Sequence, residues 1–439
     1  MGSDVNMRET ALSILLEVLE KGSYLNSVLS MSLEKYQYLD KQDRAFLTRL
    51  CEGVVERRIT LDYIINQYSK VKTEKMKPVI RTILRMGVYQ LKYMNQVPDS
   101  AACNESVKLA VKKGFGNLRG FVNGVLRAIA RAEEIELPNL SVKYSVPEWL
   151  VEKWKKAYGV EKTEAMLSAF QNAQKTHIRC CEGEEEKLAE ELRAEGIEVE
   201  KGAYLPYALT ISGYNYLRQL KSFQEGRFQV QDESSMLIGE CAGIEAGNMI
   251  ADVCGAPGGK ATHAAEKLKG TGLVSVRDLT ERKTMLIREN VERLGMKNVE
   301  VKEWDALTFD EEWKEKADVI LADLPCSGLG VIGKKPDIRY HASQEGIEEL
   351  RDLQRQILSV VWQYVKPGGT LMYSTCTVTP EENEENARWF KENFDFELVS
   401  LAESVPEALK GDVTEEGFLQ LYPGIHQCDG FFLAKFKRK

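Results

Sequence analysis

No apolar run in the 439-residue chain approaches the ~20 residues that a bilayer-spanning helix needs. The N-terminus also lacks the basic-then-apolar pattern of a secretory signal. A membrane association is therefore not expected. Histidine is scarce, with four residues, and the nine cysteines form neither a CxxC pair nor a His/Cys cluster. An odd cysteine number without such spacing argues against a disulfide framework and against a metal site, so no metal is expected and a reducing, cytoplasmic location is. The length exceeds one ordinary core, so two or three domains are expected. The net charge of −8 is uneven: residues 1–140 hold 21 Lys and Arg against 16 Asp and Glu, a net +5, which leaves −13 for the rest. A basic head on an acidic body suits contact with an anionic polymer, although a solvated basic helix face would look the same.

Residues 6 to about 135 read as successive helices. Asn6 and Glu9 have capping-box spacing, and Ala11, Leu12, Leu15, Leu16 and Leu19 then recur at helical intervals. Residues 40–55, 61–68, 77–94, 100–113 and 118–130 follow, giving about six helices and no strand in an all-α domain over 1–140. Arg119, Asn123 and Arg127 fall on one helix face, either a phosphate-contacting surface or a solvated one beside the Phe121, Val125 and Ile129 stripe. Residues 133–146 are polar, contain Pro138, and read as a linker. Pro147 then opens another helix.

A small α/β module is expected over 141–225, with strand-like runs near 177–181, 198 and 208–211 around a charged helix at 184–195. Lys175, His177 and Arg179 are candidates for RNA contact, the histidine being more simply structural. Asp232 or Ser234 would cap an apolar helix. From Asn248 onward strands and helices alternate, so residues 226–439 read as a doubly wound, Rossmann-like α/β domain.

Three apolar runs in that domain end in unusual residues: 249–252 before Cys254-Gly255-Ala256-Pro257-Gly258-Gly259-Lys260, 319–322 before Asp323-Leu324-Pro325-Cys326, and 370–373 before Ser374-Thr375-Cys376. Each reads as a buried parallel strand. Ligands bind at the carboxyl ends of such strands, so the Gly-rich turn and both cysteines converge on one crevice. Glycines in the turn let backbone approach a ligand. The turn is neither GxGxxG nor a phosphate loop ending in GK[ST], which disfavours dinucleotides and nucleoside triphosphates and favours a nucleoside-type cofactor such as S-adenosylmethionine (SAM). Asp278, ending the next strand, would hold ribose hydroxyls. Asp305, after the strand near 299–301, would sit near the adenine, and Asp323 points into the same crevice. Paired cysteines at strand ends suggest nucleophilic chemistry. Cytosine C5 is a poor nucleophile until a thiolate adds at C6, so covalent catalysis divides its methylation into easier steps. Such a thiol, ordinarily titrating near ~8.5, needs an electropositive setting or a nearby base.

The segments CGAPGGK (254–260), DLPCSG (323–328) and STCTV (374–378) together resemble the RNA cytosine-C5 methyltransferases of the RsmB/Sun group. KKPDIRY (334–340), KPGG (366–369), PEENEEN (380–386) and DGFFLAKF (429–436) extend the likeness, and the helical head resembles the NusB-like RNA-binding module. The resemblance implies a SAM-dependent enzyme forming 5-methylcytidine in 16S rRNA, of the cytosine-967 type, with tRNA or another rRNA position as alternative substrates. It assigns the nucleophile to Cys376, resolution of the covalent adduct to Cys326, the cytosine edge to Asp323, and an approach to the substrate to Lys260. DNA cytosine methyltransferases use the other cysteine, so DNA is not expected as a substrate; a monomer is. A NusB-like binding protein with an inactive methyltransferase half is the competing class, and the presence of both cysteines argues against it. Two positions depart from the family pattern. Gly255 stands where alanine is usual, and Arg277 aligns with the usual ribose-binding acid, so Asp278 calls for a one-residue shift or a bulge.

Overall fold

The computed structural model describes residues 6–36, 38–172 and 175–439. The chain forms two compact units, one from residues 1–172 with 332–341, the other from 173–331 with 342–439.

The first unit is helical. Its helices are α1 (Met7–Lys21), α2 (Leu25–Lys35), α3 (Lys41–Glu56), α4 (Arg58–Tyr68), α5 (Pro78–Tyr93), α6 (Asp99–Lys112), α7 (Arg119–Ala130), α8 (Leu140–Tyr144), α9 (Glu148–Tyr158) and α10 (Val160–Ala169). The Asn6 side chain accepts from the Glu9 amide at 3.0 Å, and left-handed Gly22 ends α1. Among the described residues seven helices precede residue 131, not six. The extra one, α2, buries only Leu25 and Leu29, too few apolar positions to register as a periodic stripe. Central α5 buries Ile80 and every residue from Thr82 to Gln90. The polar stretch 133–146 is not a plain linker: it holds α8, whose start is capped by Asn139. The segment Ile332–His341 completes this unit. Fully buried Arg339 donates to the carbonyls of Tyr144 and Ser145, each at 3.2 Å, and to that of Pro336 at 3.0 Å. Asp337 accepts from the Leu25 amide at 2.7 Å.

The second unit contains two sheets. Strands β1 (Thr176–Cys180), β2 (Glu198–Lys201), β3 (Ala208–Ser212) and β4 (Phe228–Val230) form an antiparallel sheet in the order β2-β3-β1-β4, with α11 (Glu185–Ala194) against it. The larger sheet orders its strands β10-β12-β9-β8-β5-β6-β7, with β11 paired to β12. They are β5 (Met249–Asp252), β6 (Leu273–Asp278), β7 (Val299–Glu303), β8 (Ala317–Asp323), β9 (Val365–Thr375), β10 (Phe396–Val399), β11 (Leu419–Leu421) and β12 (Phe431–Arg438). β5 through β9 pair in parallel, and the last three strands add antiparallel. The chain runs outward from β5 in one direction to β6 and β7, then crosses to β8 and β9. The crevice outside the β5 and β8 ends is thus a topological switch point.

Of the one-residue shift or bulge expected at Arg277, no bulge is present. β6 pairs regularly from Val274↔Val299 to Asp278↔Glu303. Side chains alternate along a strand, so Arg277 turns away from Asp278. It is buried, pairs with Asp310 at 3.0 Å, and stacks on Trp313 and Tyr364 at 5.1 and 5.6 Å.

Candidate active site

The turn after β5 leads into a helix, Gly259–Lys267, whose N-cap Gly258 has φ 103°, a conformation open to glycine. The Gly255 amide donates to the Arg277 carbonyl at 2.8 Å. A Cβ on Gly255 would lie 2.3 Å from Val276 Cγ2 and 2.9 Å from the Asp252 carboxyl, so the unusual glycine is a packing requirement. The Ala256 amide, ahead of Pro257, donates to Asp278 Oδ2 at 3.0 Å. The other Asp278 oxygen accepts from the Leu279 amide at 2.8 Å and pairs with Lys283 at 2.9 Å. Asp305, just beyond β7, is exposed and accepts from the Leu307 amide at 2.9 Å. Leu279, directly after β6, and Leu307, four residues beyond β7, are 57% and 41% exposed. An acid at the second strand end and a backbone-lined turn are features that could hold an adenosine-bearing cofactor. Burial pushes up both the Cys254 thiol and the Asp252 carboxyl, the latter to about 7.

Cys326 follows β8 and Cys376 follows β9, and their Sγ atoms lie 3.4 Å apart. The hydrogen bond to Cys376 and then burial hold the Cys326 thiol well above its ordinary range. Lys260 Nζ donates to Asp323 Oδ2 at 2.6 Å, while Ser374 Oγ donates to Asp323 Oδ1 at 2.8 Å. Burial opposes the lysine charge, but the Asp323 carboxylate outweighs it and keeps Lys260 above the usual lysine value, with a smaller contribution from Cys376. The Cys326 thiol thus lies against the Cys376 sulfur, with the Lys260–Asp323 ion pair in the same cleft.

Backbone contacts fix the two cysteine loops. The Gly330 amide donates to the Cys376 carbonyl and the Gly430 amide to the Gly330 carbonyl, each at 3.0 Å. A Cβ on Gly330 would stand 2.1 Å from the Gly430 carbonyl oxygen. Among the described residues no three His, Cys, Asp or Glu side chains gather into a metal site, and no helix is long and apolar enough to cross a membrane.

Asp232 caps the helix Glu233–Cys241 by accepting from the Ser234 amide at 3.1 Å, and also accepts from the Asp429 amide at 3.1 Å. Arg179 is not an RNA-facing side chain. It is 1% exposed, bonds both oxygens of Glu266 at 2.9 and 3.0 Å, and donates to the Gly259 carbonyl at 2.9 Å and to Thr262 at 3.2 Å. Its work is to brace the helix that carries the Gly-rich turn. His177 is half-buried, 3.7 Å from Asp232, whereas Lys175 is exposed and paired with Glu200 at 2.5 Å. Arg119, Asn123 and Arg127 are all exposed on α7, and the two arginines make no ion pair among the described residues.

The parallel sheet, the glycine turn at its switch point and the strand-end acid define a SAM-dependent methyltransferase. Three family profiles match the chain: the NusB family over residues 5–131, the Methyltr_RsmF/B-like ferredoxin-like domain over 146–216, and 16S rRNA methyltransferase RsmB/F over 243–437. The probable ribosomal RNA small subunit methyltransferase B of Bacillus subtilis is 37% identical, over 99% of this chain and 99% of its own. The ribosomal RNA small subunit methyltransferase B of Klebsiella pneumoniae is 32% identical over 100% of both. The crystal structure of PH0851 superposes with a TM-score of 0.83 at 26% identity, covering 100% of each chain. NSun6 from Pyrococcus horikoshii with SFG shares the fold at a TM-score of 0.59 and 24% identity, over 66% of this chain and 98% of its own. The chain belongs to the RsmB/F family of 16S rRNA methyltransferases.

Proposed function

We propose that this enzyme forms 5-methylcytidine in 16S rRNA, at a position of the cytosine-967 type, through a covalent bond between Cys376 and cytosine C6. The observation that carries the reading is the pair of sulfurs 3.4 Å apart beside the Lys260–Asp323 ion pair. The Cys376 thiolate adds to C6, and the ring electron pair moves toward C5. Asp323 receives the cytosine edge, and Lys260 offsets the negative charge that develops. When bound, SAM supplies the electrophilic methyl group, which C5 takes up. A base in the cleft then removes the C5 proton, the C5–C6 double bond re-forms, and the C6–S bond breaks. The protonated Cys326 thiol donates a hydrogen bond to the departing Cys376 thiolate and so speeds its release. The target base leaves its stacked or looped context to reach this pocket, while Arg119, Asn123 and Arg127 of the NusB-like unit contact phosphates.

The test uses tritiated SAM with undermodified 16S rRNA, tRNA and DNA. Methyl transfer to 16S rRNA, its loss in Cys376→Ala, and an SDS-stable protein–RNA adduct in Cys326→Ala are expected. Transfer to DNA alone, or an adduct formed by Cys376→Ala instead, overturns the reading.

A further inference from the structure

In the acidic run 380–386, Glu382, Asn383 and Asn386 are fully buried. Glu382 accepts from the Ser327 amide at 2.8 Å and from the hydroxyls of Ser327 and Thr379 at 2.5 and 2.7 Å. Gln354, also fully buried, donates from Nε2 to the Pro325 carbonyl at 2.8 Å and to Glu382 at 3.1 Å. Cys326 is the residue between Pro325 and Ser327, so the peptide groups on both of its sides are gripped. Asn383 holds the two residues that flank Cys376 rather than the peptide groups beside it. It accepts from the Thr375 hydroxyl at 2.5 Å and donates to the Thr377 carbonyl at 3.0 Å. The two brackets join where the Ser327 and Thr377 hydroxyls meet at 2.7 Å, and Asn386 secures Gln354 with a 2.7 Å bond to its Oε1.

A buried carboxylate is costly unless it is fully hydrogen-bonded, and burial pushes the Glu382 carboxyl upward while its donors pull it back. A core needing only packing would place an apolar residue here. We infer that Glu382 and Asn383 are separate positioning residues for the two thiols: Glu382, with Gln354, aims the Cys326 thiol at the Cys376 sulfur, and Asn383 sets the attacking direction of Cys376. This rests on the thiol roles proposed above. Two adjacent residues then govern opposite halves of the reaction, Asn383 the formation of the C6–S bond and Glu382 its cleavage.

The experiment uses the full-length enzyme, tritiated SAM and undermodified 16S rRNA, and scores methyl transfer and SDS-stable adduct separately. Cys376→Ala and Cys326→Ala run alongside: if the latter gives no adduct, the thiol roles fail whatever Glu382 does. With those controls behaving, Glu382→Ala should accumulate adduct and turn over up to about 100-fold more slowly, the loss associated with misplacing a reacting group by an ångström. Glu382→Gln keeps an acceptor for the Ser327 amide and should restore turnover. Asn383→Ala should lose transfer without accumulating adduct. Should Glu382→Ala not fold, Gln354→Leu releases the other side of the same bracket and should also accumulate adduct. Equal loss of adduct and transfer in folded Glu382→Ala, or in Gln354→Leu, would show a merely structural role and overturn the inference.

Discussion

Alanine at position 255, the usual family residue, should damage this particular chain. Non-bonded carbons rest about 3.5–4.0 Å apart, whereas the added methyl would sit 2.3 Å from Val276 Cγ2 and 2.9 Å from the Asp252 carboxyl. The overlap exceeds about 1 Å and cannot be relieved by the turn alone, because the Gly255 amide is tied to the Arg277 carbonyl at 2.8 Å. Overpacking of this kind typically costs about 1–3 kcal/mol. In a domain of this size the expected fall in melting temperature is a few degrees, roughly 2–4 °C per kcal/mol. The displaced turn should also weaken SAM binding about tenfold, equivalent to ~1.4 kcal/mol. The clash is mainly with one side chain, so Val276→Ala in the same protein should recover much of both losses and leave a coupling energy clear of additivity. Thermal unfolding and titration calorimetry with SAM on the two single variants and the double variant provide the measurement. A Gly255→Ala protein that melts and binds SAM like the wild type would refute the packing argument, as would a double variant whose losses simply add.

Mild oxidation with diamide should join Cys326 to Cys376, since sulfurs 3.4 Å apart need to close only to about 2.05 Å. Each thiol gives up one hydrogen as diamide is reduced, so mass spectrometry should find a linked peptide pair two mass units lighter, with activity lost and then regained in dithiothreitol; failure to link them while exposed Cys181 reacts would show that the sulfurs are not neighbours. Burial raises the Asp252 carboxyl to about 7 from about 3.9 in the unfolded chain. The folded state therefore binds the extra proton between those values, and this contribution to stability is present below about 4 and lost as pH rises to about 7. Asp252→Asn should gain stability relative to wild type progressively across that window and hold a constant advantage above it; parallel urea-unfolding curves from pH 4 to 8 would contradict this. Arg119→Ala and Arg127→Ala should each reduce the salt slope of rRNA binding by about one without lowering the melting temperature. Arg179→Met should do the reverse, destabilising by about 3–5 kcal/mol through an unpaired Glu266 while leaving the salt slope alone; a changed slope would mean that Arg179 reaches RNA after all.

Local pattern and long-range partnership separated what could be read from the chain. The apolar runs before Cys254, Asp323 and Ser374 announce themselves as parallel strands because both faces of β5, β8 and β9 are covered, and their ends then locate the crevice. Asn6 and Asp232 were legible because a cap bonds within three residues of itself. Helix α2 escaped notice because just two of its apolar side chains are buried. Arg179 misled because its partners, Gln231, Gly259, Thr262 and Glu266, lie 52 to 87 positions away, and a charge in a short strand carries no sign of them. Glu382 was hidden in the same manner within an acidic run. A signal was available there: Asn383 and Asn386, poor helix formers, interrupt acids immediately after Pro380, which a simple solvated helix has no reason to do.

The burial of Arg339 against the carbonyls of Tyr144 and Ser145 sets an order of events during synthesis. Those two carbonyls leave the ribosome long before the guanidinium that satisfies them. At about 5–20 residues per second, the helical unit waits on the order of ten to forty seconds for its last donor. A protein shortened after residue 172 would never receive it, so the head of this enzyme, although it comes first, is finished late.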